Sequence, residues 1–295
     1  MNAERFSYNF MYYIEIEISS LCNRSCRYCP NSKIHRKREL MPISTFEKIM
    51  KELQRINFSG GIAFHQYNEP LLELDHLIEC IKCAVRYLPN ARLVLYTNGD
   101  YLDRDVYKKL KKLGIAKFCI TCHLDHDETW NKESAYEKIG RVRKRIGYHT
   151  GKYSVSDDSV VYGPKNIRDC IFRMKEFSIA NIKKYPVEVQ IESHNFNKDG
   201  STRMNTIDLL EHTLIEEKNN TYYCGTLLHG MHVSYKGNVY MCCDCCEDTK
   251  EAAHFLIGSV YEDDICQLFA KKYQFIDKYI RNQGMEVCKN CYWNK

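Results

Sequence analysis

No run in the 295-residue sequence approaches the roughly 18 uninterrupted apolar residues that a membrane span requires. Residues 1–10 lack the basic-then-apolar pattern of a secretory signal, so a cytoplasmic protein is expected. There is no low-complexity tract and no repeat at a fixed period. Nor is there a large charge excess of one sign, since 43 basic against 38 acidic residues leave a formal +5. The basic runs at 33–38 and 141–145 read as solvated surface. No nucleic-acid motif accompanies them, so nucleic acid is not an expected partner.

Cysteine is what the chain has in quantity, 16 of them. A reducing compartment does not support a stable disulfide set, and catalysis alone does not need so many thiols, so metal ligation is the reading left. An apolar fraction of 44% and a charged fraction of 27% fit a soluble globular fold. The length suits one large domain, or one domain with an appendage.

Ile14, Ile16 and Ile18 alternate with Glu15 and Glu17, which predicts a strand over 12–18. Ser44 and Glu47 have capping-box spacing ahead of a helix over 44–56. Further strands are predicted at 62–67, 93–97, 117–123, 160–162 and 187–191. Helices are predicted at 72–87, 103–113, 130–146 and 166–177. This alternation points to an α/β fold, a parallel sheet wrapped by helices, with its chemistry at the C-terminal strand ends. After about residue 205 the pattern changes to a helix at 208–217, a hairpin over 231–242 turned by Gly237, and a helix over 263–282.

Two groups of cysteines have ligand spacing. Cys22, Cys26 and Cys29 follow the first strand at once. Three thiolates suit a [4Fe–4S] cube with one open iron. With His35 as a fourth ligand they also suit zinc. Cys224, Cys242, Cys288 and Cys291 form the second group, with Gly237 turning Cys242 back beside Cys224. Four cysteines close either a zinc site or a [4Fe–4S] site, and spacing alone does not separate the two.

The CxxxCxxC motif with Tyr28 before its last cysteine resembles the signature of the radical S-adenosylmethionine (SAM) superfamily. Two further stretches fall in the family's order. His65-Gln66-Tyr67-Asn68-Glu69-Pro70 closes the second strand, where the family usually carries Gly-Gly-Glu-Pro, and Thr97-Asn98-Gly99 closes the third. The resemblance implies a partial (β/α)6 TIM-like barrel over residues 1–205. It implies that Cys22, Cys26 and Cys29 hold a [4Fe–4S] cluster with one open iron, which the methionine end of SAM chelates. Asn68 and Glu69 would accept from the SAM ammonium group, and Tyr28 would lie near the adenine. Asn98 would also serve the cofactor. His123 stands where the family often has a serine that helps bind the SAM carboxylate, and Tyr67-Asn68 replaces the family's paired glycines.

The Cys-x12-Gly-x4-Cys spacing from Cys224 to Cys242 resembles the SPASM/twitch extensions. That implies a cysteine-rich twitch domain over 206–295, a hairpin plus a helix, holding one auxiliary [4Fe–4S] cluster on Cys224, Cys242, Cys288 and Cys291. Core packing is the default for Cys80, Cys83, Cys119, Cys122, Cys170 and Cys266. Cys243 alternates with Cys242 in an extended chain and would face the cavity as a hydrogen-atom donor. The implied enzyme abstracts hydrogen from an amino sugar, a cyclitol or a peptide, giving dehydrogenation or epimerisation. A flavodoxin- or ferredoxin-type protein would supply the electron. Strand one begins near Tyr12, with no room before it for the leader-binding domain of many peptide-modifying relatives, so a small molecule is favoured. The expectation from another class is a non-catalytic zinc or iron–sulfur protein.

Overall fold

The computed structural model describes residues 11–125, 127–157, 159–163, 187–194 and 229–281. The helices expected at 166–177 and 208–217, and Cys170, Cys224, Cys288 and Cys291, lie outside them.

Strand and helix alternate through the first half. β1 (Tyr13–Ile16), α1 (Ile43–Arg55), β2 (Gly61–Ala63), α2 (Leu74–Tyr87), β3 (Arg92–Thr97), α3 (Arg104–Leu113), β4 (Ile115–Thr121) and α4 (Lys132–Ile146) come in order. An antiparallel hairpin follows, β5 (Lys152–Val155) and β6 (Ser159–Gly163), and then β7 (Glu188–His194). The chain ends in β8 (Gly230–Val233), β9 (Asn238–Tyr240), β10 (Leu256–Ser259) and α5 (Ile265–Arg281).

All ten strands join in one sheet, ordered β10-β9-β8-β1-β2-β3-β4-β7-β6-β5. The run from β8 to β7 is parallel, and antiparallel pairs flank it on both sides. The mixed α/β architecture expected from the sequence is therefore present. Its sixth parallel strand is β8, which pairs with β1 in register from Tyr13↔Gly230 to Ile16↔Val233. The sheet thus runs continuously from the first half of the chain into residues beyond 205. The short strand expected at 160–162 proves to be the second arm of a hairpin that caps β7.

Alternation in β1 sorts its side chains onto two faces. Ile14, Ile16 and Ile18 are fully buried against the helices, in one core with Phe46, Ile49, Met50 and Leu53 of α1 and Leu77, Ile78 and Ile81 of α2. Burying each such side chain stabilises the fold by about 1.5–3 kcal/mol. Tyr13, Glu15 and Glu17 take the opposite face.

The capping box expected at Ser44 does not form. Helix α1 starts one residue earlier, with Pro42 as its N-cap, and the Pro42 carbonyl accepts from Thr45 and Phe46. Glu47 is drawn away from the helix end by the Tyr87 hydroxyl and Lys51. Proline just ahead of a helix loses no hydrogen bond there, which makes the side-chain cap dispensable.

Candidate functional site

The loop from Cys22 to Cys29 leaves the C-terminal end of β1 and is gripped by the ends of the next three strands. From β2 comes Glu69, whose backbone N–H donates to the Leu21 carbonyl at 2.8 Å. Its buried carboxylate accepts from Thr97 Oγ1 at 2.6 Å, the Asn98 N–H at 2.7 Å and the Leu71 N–H at 3.0 Å. Burial nevertheless raises this carboxyl to about 7.

From the end of β3, the Asn98 amide donates to Asn23 Oδ1 at 2.8 Å and reaches Cys22 Sγ at 3.9 Å. Gly99 then turns with φ +79°, a conformation that suits a residue without Cβ. Asp100 takes the Arg24 guanidinium in a two-bond fork, Nε at 2.6 Å and Nη2 at 2.8 Å. From β4, His123 Nδ1 meets the Tyr28 hydroxyl at 2.5 Å, and Asp125 takes Arg24 Nη1 at 3.2 Å.

Of the residues expected to serve the cofactor, Tyr28, Glu69, Asn98 and His123 gather around this loop. Asn68 is buried beneath it, with its amide on Ser19 Oγ at 3.2 Å and the Phe64 carbonyl. Its Oδ1 accepts the Gln66 N–H at 3.1 Å, so the Asn68 side chain is engaged in shaping the loop itself.

The three thiols fit an iron–sulfur cube. Cys26 and Cys29 are buried, Cys22 is partly exposed, and none of the described cysteines is in a disulfide. The Arg24 N–H points at Cys22 Sγ from 3.4 Å, the kind of N–H···S contact that stabilises a ligating thiolate. Burial pushes the metal-free Cys22 thiol up to about 12, so metal binding must displace its proton. His35, the fourth ligand of the zinc alternative, is exposed while Cys26 and Cys29 are buried.

A second loop faces the first. β8 and β9 are joined through Gly237, whose φ is +81°, and β9 leads into Cys242-Cys243-Asp244-Cys245-Cys246. The ligand atoms of Cys242, Cys243 and Asp244 all lie within 4.8 Å of one another. Hydrogen bonds from the Cys243 and Cys245 thiols, together with the Asp244 N–H at 3.4 Å, outweigh burial and hold Cys242 well below the usual thiol range. The bond to Cys242 together with burial pushes Cys243 up, and burial together with the bond to Cys242 pushes Cys245 up. Cys224, Cys288 and Cys291, the expected partners of Cys242, lie outside the described residues.

Two connections that the sequence reading missed tie the loops together. Arg36 is buried, with Nη1 and Nη2 on the Glu17 carboxylate at 2.9 and 3.0 Å and Nε on Asp248 at 2.7 Å. Glu17 also accepts the Tyr67 N–H at 3.1 Å, and the Tyr67 hydroxyl donates to the Asp244 carbonyl at 2.7 Å. The only sequence signal was Glu17 itself, a carboxylate alternating with buried isoleucines on a strand whose other face is sheet interior.

Below the loops, the sheet face opposite the helices is polar. His232 Nδ1 pairs with Glu15 Oε2 at 2.8 Å, and His65 stacks on Tyr96 with ring centroids 4.4 Å apart. Glu192 accepts from Gln190 Nε2 at 2.6 Å and Thr121 Oγ1 at 3.2 Å, with His194 at 3.4 Å. Burial works to raise both carboxyls, but His232 beside Glu15 and His194 beside Glu192 outweigh it and hold them low.

Comparison with known proteins agrees with this arrangement. The model of the radical SAM superfamily matches residues 16–169, and that of the SPASM iron–sulfur cluster-binding domain matches residues 224–292. A SAM-dependent 2-deoxy-scyllo-inosamine dehydrogenase of Niallia circulans is 43% identical over 112 residues, covering 37% of this chain and 44% of the relative. A GTP 3′,8-cyclase of Nautilia profundicola is 32% identical over 139 residues, covering 44% of this chain and 41% of the relative. The chain thus spans less than half the length of these curated relatives. The crystal structure of BtrN in complex with AdoMet and 2-DOIA shares the fold, with a TM-score of 0.58 at 24% identity, covering 95% of this chain and 92% of that one.

Proposed function

Because the chain belongs to the radical SAM superfamily, we propose that it is a SAM-dependent oxidoreductase acting on a small polyhydroxylated amine, of the amino-sugar or cyclitol type. The observation that carries this reading is the polar sheet face under the first cysteine loop. Two carboxylates held in their charged form suit an ammonium group, and imidazole, amide and hydroxyl groups suit a ring of hydroxyls. When bound, the cluster and SAM supply a 5′-deoxyadenosyl radical that removes a hydrogen atom from substrate carbon.

The protein's own part is to hold and to shield. Cys22, Cys26 and Cys29 are the ligands of the first cluster. Tyr28 and His123, locked at 2.5 Å, form a wall for SAM, with His123 as the donor to its carboxylate. Glu69 ties the ends of β2 and β3 to the cluster loop, and its remaining lone pairs suit the SAM ammonium. Residues 206–295 act as a twitch-type extension to a core over 1–205, with Cys224, Cys242, Cys288 and Cys291 holding the auxiliary cluster. A cluster held there would be able to accept the second electron of a dehydrogenation. A flavodoxin- or ferredoxin-type donor in the cytoplasm would supply the first.

A second reading rests on Cys243, whose thiol is pushed well above its ordinary range by its bond to Cys242 and by burial. A protonated Cys243 thiol facing the substrate would return a hydrogen atom to the substrate radical, giving epimerisation. Turnover in deuterated water, with 2-deoxy-scyllo-inosamine as the first probe and a peptide library as the second, separates the outcomes. A two-electron-oxidised ring supports dehydrogenation. Deuterium at carbon without oxidation supports epimerisation. Conversion of peptides alone would overturn the small-molecule assignment.

A further inference from the structure

Four cysteines stand in the five positions from 242 to 246, and the auxiliary site takes only Cys242. Cys246 has 0% exposure, yet it does not pack in the main core. It sits in a separate small cluster with Cys26, Tyr28, Cys29 and Tyr67, edged by Ile34. The thiol has therefore been carried from the far end of the chain to the side of two ligands of the first cluster and of the aromatic residue between them.

Its position is fixed from several directions. The Cys246 carbonyl accepts from the Thr249 N–H at 3.0 Å and from Thr249 Oγ1 at 2.8 Å. The loop is pinned to the strand ends by the Tyr67 hydroxyl on Asp244 and by Arg36 on Asp248. Burial pushes the Cys246 thiol up to about 12, with the Arg36 guanidinium acting against it, so binding a metal there must displace its proton. A buried thiol packed with Cys26 and Cys29, where only three local ligands are available to a cube, is a candidate for the fourth.

We propose that Cys246 is a displaceable fourth ligand of the first cluster, closing its open iron until SAM arrives. The exchange breaks one Fe–S bond to Cys246 and forms one Fe–N and one Fe–O bond to the methionine end of SAM. No electron moves, and the freed thiolate takes a proton from water or stays beside Arg36. Closing the corner keeps oxidants from the iron while no substrate-activating cofactor is present. SAM then binds in competition with the thiol, which raises its apparent Kd by the reciprocal of the fraction of protein in the open form. This inference rests on the reading of Cys22, Cys26 and Cys29 as cluster ligands.

The test uses the full chain with both clusters, prepared without oxygen, as wild type, Cys246→Ala and Cys246→Ser. Mild ferricyanide oxidation without SAM removes an unprotected iron and leaves a [3Fe–4S] species visible by electron paramagnetic resonance. The expected signal is weak in wild type and several-fold stronger in both variants, and SAM added first abolishes the difference in protection. Equilibrium dialysis of SAM should give about tenfold tighter binding to the variants. Equal signals and equal affinities in the three proteins would overturn the proposal. If Cys246→Ala fails to retain iron, Cys246→Ser, nearly the same size, decides. Replacing Cys22, Cys26 and Cys29 together separates the two levels. If that protein keeps its full iron content, the cluster assignment falls. If it loses one cluster while Cys246→Ala behaves as wild type, only the role of Cys246 falls.

Discussion

The two cysteine loops solve the problem of holding soft ligands in opposite ways. The Cys22–Cys29 loop spreads its thiols along eight residues and is secured from outside, by Asp100, Asn98, His123 and Glu69 at three successive strand ends. The 242–246 loop crowds its thiols, so that they hydrogen-bond to one another and those bonds pull Cys242 down from the usual thiol range. The first loop is a socket shaped by the sheet. The second is shaped by its own sulfur atoms and then fastened to the first by Arg36 and Tyr67. The contrast suggests that the sheet fixes the geometry of the first site, while the second depends on metal for its final form.

The largest effects should fall on that contrast. Replacing Cys22, Cys26 or Cys29 with alanine should abolish formation of 5′-deoxyadenosine from SAM. Cys242→Ala should lower iron content by one cluster and stop substrate oxidation while leaving SAM cleavage measurable. If Cys242→Ala also silenced SAM cleavage, the two loops would not be separable in function.

Next in size is the fastening. Arg36→Ala leaves Glu17 as an uncompensated buried charge and should cost about 3–5 kcal/mol of stability in denaturant unfolding. The half-exposed Arg24–Asp100 pair should cost no more than about 1 kcal/mol when Arg24 is replaced. Equal losses would show that burial does not distinguish the two arginines.

Smaller still, Tyr28→Phe removes one hydrogen bond to His123, about 1 kcal/mol. SAM affinity measured on the protein with its cluster oxidised should weaken about fivefold, against no change for Tyr235→Phe in the hairpin. The smallest effect is on acid stability. Arg24 holds Asp100 low and Arg36 holds Asp248 low, each against burial. Both contributions are present above the ordinary aspartate value near 3.8 and are lost as pH falls through the lowered folded values. Asp248→Asn should flatten the fall of the calorimetric midpoint below pH 4 more than Asp103→Asn, which only caps a surface helix.

Much of this was legible from the chain alone. Alternating Ile14, Ile16 and Ile18 announced β1 because one face had to be buried, and the CxxxCxxC spacing announced the socket because its ligands are local. What escaped was whatever depended on distant partners. Nothing in the hydropathy of 230–233 reveals that its neighbour is β1, and nothing near Arg36 points to Asp248, 212 positions away. The Ser44 cap was misjudged because the motif describes a local possibility, and a proline two residues earlier had already started the helix. Cys246 looked like one thiol in a run, and only the folded chain reveals whose neighbour it is.

The pairing of β8 with β1 has a consequence for biogenesis. During synthesis the first strand emerges early, but one whole edge of it waits for a segment more than two hundred positions later. Until the ribosome has released that segment, β1 presents unpaired amides and carbonyls next to a socket meant for iron. Loading of the first cluster on a nascent chain would therefore meet an open, unroofed loop.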